Sequence, residues 1–254
     1  MLKDGTIVIT GATSGFGEAI ARLLSKKWPD CRLWLTGRRL DRLESLVNEI
    51  GPERSRAFCF DIRDRVAVES FARETVRERV TVLVNNAGLA AGLDLFQESN
   101  IDDWEQMIDT NLKGLLYITR ALLPDMLRRR EGHVVNLGSI AGHLMYPKGH
   151  VYAATKFAVR ALNEALRIDT LGSGIRVTSI DPGLAETEFS MVRFKGDKQK
   201  ATSVYQGMRP LTASDIAETV LWCLDRPSHV NIQDLIIMPT DQASPRDEIG
   251  RAHV

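Results

Sequence analysis

The chain has 254 residues, 44% hydrophobic and 26% charged, an ordinary globular mixture long enough for one large α/β domain or two small ones. Lysine plus arginine equals aspartate plus glutamate at 33 each, and this neutrality argues against nucleic acid or an anionic membrane as the main partner. No apolar run approaches the roughly 20 residues that span a bilayer, and the histidines show no metal-ligand spacing with cysteines or carboxylates, so no metal site is expected. The start, Met1-Leu2-Lys3-Asp4, lacks the layout of a secretory signal. Cys31, Cys59 and Cys223 are far apart and odd in number, which reads as core thiols of a cytoplasmic protein.

The predicted elements alternate strand and helix. Residues 6–10 (Thr-Ile-Val-Ile-Thr) read as a buried strand, and from Gly15 the apolar positions Phe16, Ala19, Ile20, Leu23 and Leu24 follow helical spacing. Further strands are predicted over 32–36, 57–60, 81–85, 133–137, 175–180 and 235–238. Helices are predicted over 40–50, 65–77, 102–128, 151–171 and 215–224, with Pro124 disturbing the last turn of the long one. The β-α-β rhythm predicts an α/β fold, a single doubly wound parallel sheet of about seven strands with helices on both faces. No linker divides the chain, so 1–254 is expected to be one domain. Gly183 to Met208 has no clear period and is expected to form a lid, and Asp241 to Val254 a tail.

The loop Thr10-Gly11-Ala12-Thr13-Ser14-Gly15-Phe16-Gly17 lies between the first strand and the first helix. Glycines there let cofactor phosphates approach the backbone, and the helix N-terminus supplies free N–H groups and a positive dipole end. At the end of the second strand, an acidic residue would bond a ribose 2′-hydroxyl, whereas this chain has Thr36-Gly37-Arg38-Arg39. Two guanidinium groups suit a 2′-phosphate, so NADP(H) is the expected cofactor.

The glycine spacing, G-x-x-x-G-x-G, resembles that of the short-chain dehydrogenase/reductase family, and the resemblance continues along the chain. Asn85-Asn86-Ala87-Gly88 follows the fourth strand and Asn111 lies in the next helix. Ser139, Tyr152 and Lys156 match an S…Y-x-x-x-K pattern, and Pro182-Gly183 is followed by Thr187. The resemblance implies an oxidoreductase that moves a hydride between the nicotinamide and an alcohol/carbonyl pair. It implies Asn111, Ser139, Tyr152 and Lys156 as the catalytic set. Cofactor contacts are implied at Gly11, Thr13, Ser14, Gly15, Phe16, Gly17, Arg38, Arg39, Asp61, Ile62, Asn86, Ala87, Gly88, Tyr152, Lys156, Pro182, Gly183 and Thr187. Asp61 and Ile62 would hold the adenine, Asn111 a water, and Lys156 the nicotinamide ribose. Tyr152 and Lys156 share a helix face, so an ammonium beside the phenol would lower a pKa that is otherwise about 10. Ser139 would steady charge developing on the substrate oxygen.

Residues 187–197, His229-Val230-Asn231-Ile232 and Met238-Pro239 resemble the branch of NADP-dependent 3-hydroxy acid (serine and allo-threonine) dehydrogenases, with sulfoacetaldehyde reductases as close relatives. Within that branch Arg193 is expected to face an anionic substrate, with Lys195 second. Ser139, Tyr146 and Tyr152 would line the substrate site, and Met145 is a further candidate wall. His143 and His150 are candidates either for substrate contact or for local loop bonds. The expected partner is a small anionic substrate, and family habit implies a homotetramer. A sulfoacetaldehyde reductase, a reductase of bulkier ketones or sugars, and a non-catalytic NADP(H)-binding module remain as alternatives. The complete catalytic set argues against the last of these, and the charged lid argues against the bulkier substrates.

Overall fold

The computed structural model describes residues 2–76 and 78–245. Seven parallel strands form one sheet in the order β3-β2-β1-β4-β5-β6-β7. They are β1 (Thr6–Thr10), β2 (Arg32–Gly37), β3 (Ser55–Cys59), β4 (Val80–Asn85), β5 (Gly132–Leu137), β6 (Ile175–Pro182) and β7 (Asp234–Ile237). The helices are α1 (Gly15–Lys27), α2 (Leu40–Ile50), α3 (Arg65–Thr75), α4 (Ile101–Ile108), α5 (Leu115–Arg129), α6 (His150–Asp169), α7 (Glu188–Arg193), α8 (Lys198–Ser203) and α9 (Ala213–Leu224).

Side chains of a strand alternate between faces, and the core divides accordingly. Ile7 and Ile9 of β1 pack on one face with Ile20, Leu24, Leu33, Leu35 and Val220. Val8 between them packs on the other with Trp34, Phe58, Phe71, Ile118 and Val134. Burial on both faces explains why the strands read as unbroken apolar runs. The order reverses between β1 and β4, and such a switch point opens a crevice at the carboxyl ends of the strands.

Four expectations change. The helix predicted over 102–128 is interrupted: α4 ends at Ile108, a π-helical turn covers Asp109–Gly114, and α5 follows. The last turn, where Pro124 was expected to disturb the helix, persists to Arg129, with Pro124 and Arg120 both on the exposed face where water can serve the carbonyl that loses its partner. The predicted lid is not structureless, since it carries α7 and α8. Cys31 and Cys223 are buried thiols, but Cys59 is exposed on the edge strand β3 and is not a core residue. The tail residues 246–254 lie outside the described residues, and among the described residues no helix is long and apolar enough to cross a membrane.

Candidate active site

The glycine loop is tied to the turn after β4. Thr10 Oγ1 donates to the Val84 carbonyl at 3.2 Å and accepts from the backbone N–H groups of Asn86 and Ala87, both at 3.0 Å. Asn86 Nδ2 donates to the carbonyls of Thr10 and Gly11 at 2.8 and 3.1 Å. Gly11 has φ +66°, and a Cβ there would stand 3.0 Å from the Ala87 backbone, so glycine is required twice over. Gly17 admits the Gly11 carbonyl, which would lie 2.6 Å from a Cβ. Ser14 occupies the N-cap of α1 without capping it, and Phe16 packs against the core. Thr187 stands over Gly15, 3.4 Å from where a Cβ would be, and caps α7 by accepting from Phe189 N–H at 3.2 Å. Gly88 lies beside Asn111 and Lys156, 3.2 Å from the former and 3.8 Å from the latter at its Cβ position. Pro182 ends β6, and the N–H of Gly183, which follows it, donates to the Ile237 carbonyl at 2.8 Å.

At the adenosine end Arg38 is exposed, with Nη1 3.9 Å from Asp61. Arg39 lies across the glycine loop, bonding Thr13 Oγ1 (3.0 Å) and Ser14 Oγ (2.8 Å) through Nη2. Ile62 is buried against Gly114, whose absent side chain makes room for it.

Asn111 sits in the π-helical turn, a local widening that often marks functional positions. It grips Leu89 with Oδ1 accepting from N–H and Nδ2 donating to O, both at 2.9 Å, and bonds Thr155 Oγ1 at 3.0 Å. Lys156, one helical turn after Tyr152, is buried and donates to the Leu137 carbonyl at 2.8 Å. Burial presses its ammonium down to about 8, against the opposing pull of Asp181, so it stays mostly charged at neutral pH. Its Nζ lies 5.8 Å from the Tyr152 ring centroid. Burial raises the Tyr152 phenol above its ordinary value, opposed first by Arg193 and then by a hydrogen bond with Ser139. The cation that counters burial at the phenol is therefore Arg193, where the sequence pointed to Lys156.

Arg193 ends α7 and stacks over Tyr152, Phe189 and Tyr146, with guanidinium-to-centroid distances of 5.1, 5.6 and 5.7 Å. One Nη2 N–H donates to the Tyr146 hydroxyl at 2.5 Å. Its Nε and the Trp104 Nε1 are both buried without a hydrogen-bond partner among the described residues, and Trp104, Tyr152 and Arg193 line one cleft. Lys195, the second candidate for the anion, pairs its exposed ammonium with Asp103 at 2.9 Å. Met145 is exposed.

The match to the short chain dehydrogenase family covers residues 5–198. Its sequence is 46% identical to the NADP-dependent 3-hydroxy acid dehydrogenase of Escherichia coli K12 over 240 residues, 93% of this chain and 96% of that one. It is 45% identical to the serine 3-dehydrogenase of Agrobacterium fabrum over 243 residues, 94% and 96% of the two chains. The chain belongs to the short-chain dehydrogenase family. A solved closed form of serine dehydrogenase complexed with NADP+ superposes with a TM-score of 0.91 at 44% identity, over 97% of this chain and all of that one. Serine dehydrogenase from Escherichia coli gives a TM-score of 0.81 at 40% identity, over 94% and 99%.

Several residues that shape this family site have no signature in the sequence. Arg42 reaches Thr13 O at 3.4 Å from the next turn of α2, and Arg63 grips Asp61. Burial pushes the Asp61 carboxyl up, but the Arg63 bonds outweigh it and hold the group below its ordinary value. Asp181, 1% exposed, lies behind Ser139 and accepts from Ser139 N–H (3.1 Å), Ser179 Oγ (2.9 Å) and His143 Nε2 (3.0 Å). His143 is thus a structural partner of a buried carboxylate. His150 bonds Ser99 and Asp94, both at 3.1 Å, and packs edge-on against Phe96 and Trp104. In the tail, buried Gln242 accepts from Leu184 N–H at 2.7 Å and so supports the loop after β6. The Asn231 amide bonds both backbone groups of Val177, extending the pairing of β6, so this stretch is structural.

Proposed function

We propose that the protein is an NADP(H)-dependent dehydrogenase/reductase of small anionic 3-hydroxy acids, serine-like or 3-hydroxypropionate-like, acting on the CH–OH group. The observation that carries the substrate class is the pair of buried donors, Arg193 Nε and Trp104 Nε1, that have no partner among the described residues and belong to the cleft beside Tyr152. Buried donors without partners are costly, and a carboxylate satisfies them with charge-assisted bonds. The names of the relatives agree with this class. A sulfonate offers the same acceptors, so sulfoacetaldehyde is the second substrate of interest.

The residues present fit the cofactor: a glycine loop whose positions 11 and 17 exclude any Cβ, and Arg38 and Arg39 beside the adenosine end. When bound, NADP(H) supplies or accepts the hydride. Asn86, Ala87, Gly88, Asp61 and Ile62 shape its groove, and Pro182, Gly183 and Thr187 close it from the lid side. Lys156 holds the nicotinamide ribose hydroxyls and Asn111 fixes the turn beside it. The substrate oxygen sits between Ser139 and Tyr152: Ser139 donates a hydrogen bond to it, and Tyr152 gives or takes its proton. Arg193, with Tyr146 bonded to it, holds the anionic head and sets the distance from head group to reacting carbon. The whole chain acts as one domain, and we infer a cytoplasmic homotetramer. Exposed apolar Ile108, Leu116 and Phe157 on α4, α5 and α6 support assembly.

Absorbance of the reduced cofactor, followed with serine, 3-hydroxypropionate, the matching semialdehyde, sulfoacetaldehyde and neutral alcohols of the same size, tests the assignment. The expected result is turnover of the anionic compounds with NADP(H) and little with NAD(H). Faster turnover of bulky neutral ketones would overturn the substrate class.

A further inference from the structure

The arginines at the adenosine end already hold an anion, and it belongs to the protein. Glu188, the first residue of α7, places Oε2 2.9 Å from Arg39 Nη1 and Oε1 2.6 Å from Arg42 Nη1. The Nη2 of the same Arg39 is bonded to Thr13 and Ser14, so one guanidinium joins the glycine loop to the lid. A carboxylate between two guanidinium groups has the charge and acceptor geometry that a phosphate would present there. Arg42, more than its other partners, holds the Glu188 carboxyl below its ordinary value. The side chains of Arg39, Arg42 and Glu188 are 39%, 43% and 42% exposed, so the pairs are open to a ligand and individually weak.

We propose that Glu188 is an internal stand-in for the 2′-phosphate of the dinucleotide, and that Arg42 joins Arg38 and Arg39 in reading that phosphate. This rests on the NADP(H) assignment above. A phosphate monoester carries a charge close to two and three acceptor oxygens, so it outcompetes one carboxylate for the same donors. The displaced Glu188 then lies beside a like charge and is driven away. A dinucleotide without the 2′-phosphate leaves the Glu188 pairs in place. Glu188 thus competes with every anion at the cluster and favours the one able to displace it.

Isothermal titration of the purified protein with adenosine 2′,5′-bisphosphate and with adenosine 5′-monophosphate reads this without turnover, because the fragments differ only in the 2′-phosphate. Glu188→Gln is expected to raise affinity for the bisphosphate about three- to tenfold, as two exposed ion pairs are removed, and to leave the monophosphate within about twofold. In the Glu188→Gln background, Arg42→Gln is expected to lower bisphosphate affinity about threefold. Unchanged or weaker bisphosphate binding by Glu188→Gln, while wild type still discriminates the two fragments, would overturn this proposal alone. Equal binding of the two fragments by wild type would overturn the NADP(H) assignment and the proposal with it.

Discussion

Arg193→Ala separates the reading of the anion from the shaping of the pocket. The guanidinium makes one bond to the protein, to Tyr146, and otherwise stacks on three rings, leaving Nε buried and without a partner among the described residues. A carboxylate taking that donor makes a charge-assisted bond of about 1.5–3 kcal/mol. The change is therefore expected to reduce kcat/KM for an anionic 3-hydroxy acid by roughly ten- to a hundredfold. Arg193 also holds the Tyr152 phenol down against burial, so its loss lets the phenol rise further. That second effect acts on every substrate, charged or neutral. The informative quantity is the ratio of losses, measured with 3-hydroxypropionate and a neutral propanol under the same conditions. Arg193→Lys keeps the charge without the fork and is expected to recover part of the anionic activity. Equal losses for the two substrates in Arg193→Ala would refute anion reading and leave Arg193 as a packing and electrostatic partner of Tyr152.

Tyr152→Phe is expected to keep cofactor binding, read by fluorescence titration, while turnover falls about 10²–10⁴-fold; near-normal turnover would remove Tyr152 as the proton carrier. Arg38→Asp places a carboxylate where the 2′-phosphate is expected and should reverse the preference for NADP(H), with an unchanged ratio of kcat/KM for the two cofactors counting against the assignment. The buried Lys156 gives a stability signature with a defined sign. Its folded value of about 8 lies below the 10.5 of the free side chain, so between these values the unfolded chain binds more protons and wild-type stability rises with pH. The stability gap of Lys156→Met over wild type, from urea unfolding, is therefore expected to shrink from pH 8 to 10.5, and a pH-independent gap would show that the ammonium is not desolvated.

The parts legible in the sequence are those whose physics is local. Parallel strands write themselves as apolar runs, so all seven fall within two residues of their predicted bounds. The glycine loop and Tyr152–Lys156 are likewise local, one a turn and the other a helix face. The π-helical turn at Asp109–Gly114 left no trace, because shifting a hydrogen bond by one residue needs no change in composition. Charge partners were the least legible. Arg39 and Glu188 are separated by 149 residues and meet only because α2 and α7 flank the same crevice. The Lys195 pair was illegible for the same reason, since nothing near it in sequence announces Asp103 on α4. Asp181 lies two residues after Ser179 at the end of an apolar strand, where a carboxylate reads as the start of a loop, yet Gly138 leaves room for it to enter the backbone corner at Ser139.

The charges around Tyr152 and Lys156 act on both groups. The protein is neutral overall, but its crevice has cations along its length: Arg38, Arg39 and Arg42 at one end, Lys156 in the middle and Arg193 at the other. Asp181 is the buried carboxylate behind them, and it acts on both members of the Tyr152–Lys156 pair. It supports the ammonium against desolvation and raises the phenol, while Arg193 lowers the phenol. A general acid works best when its pKa lies near the operating pH, so the lowering by Arg193 favours proton transfer from the phenol. Asp181→Asn keeps acceptor capacity toward Ser139 while removing the charge, and so loosens the ammonium and relaxes the phenol together. Asp181 thus bonds the Ser139 backbone directly and reaches Tyr152 and Lys156 through its charge.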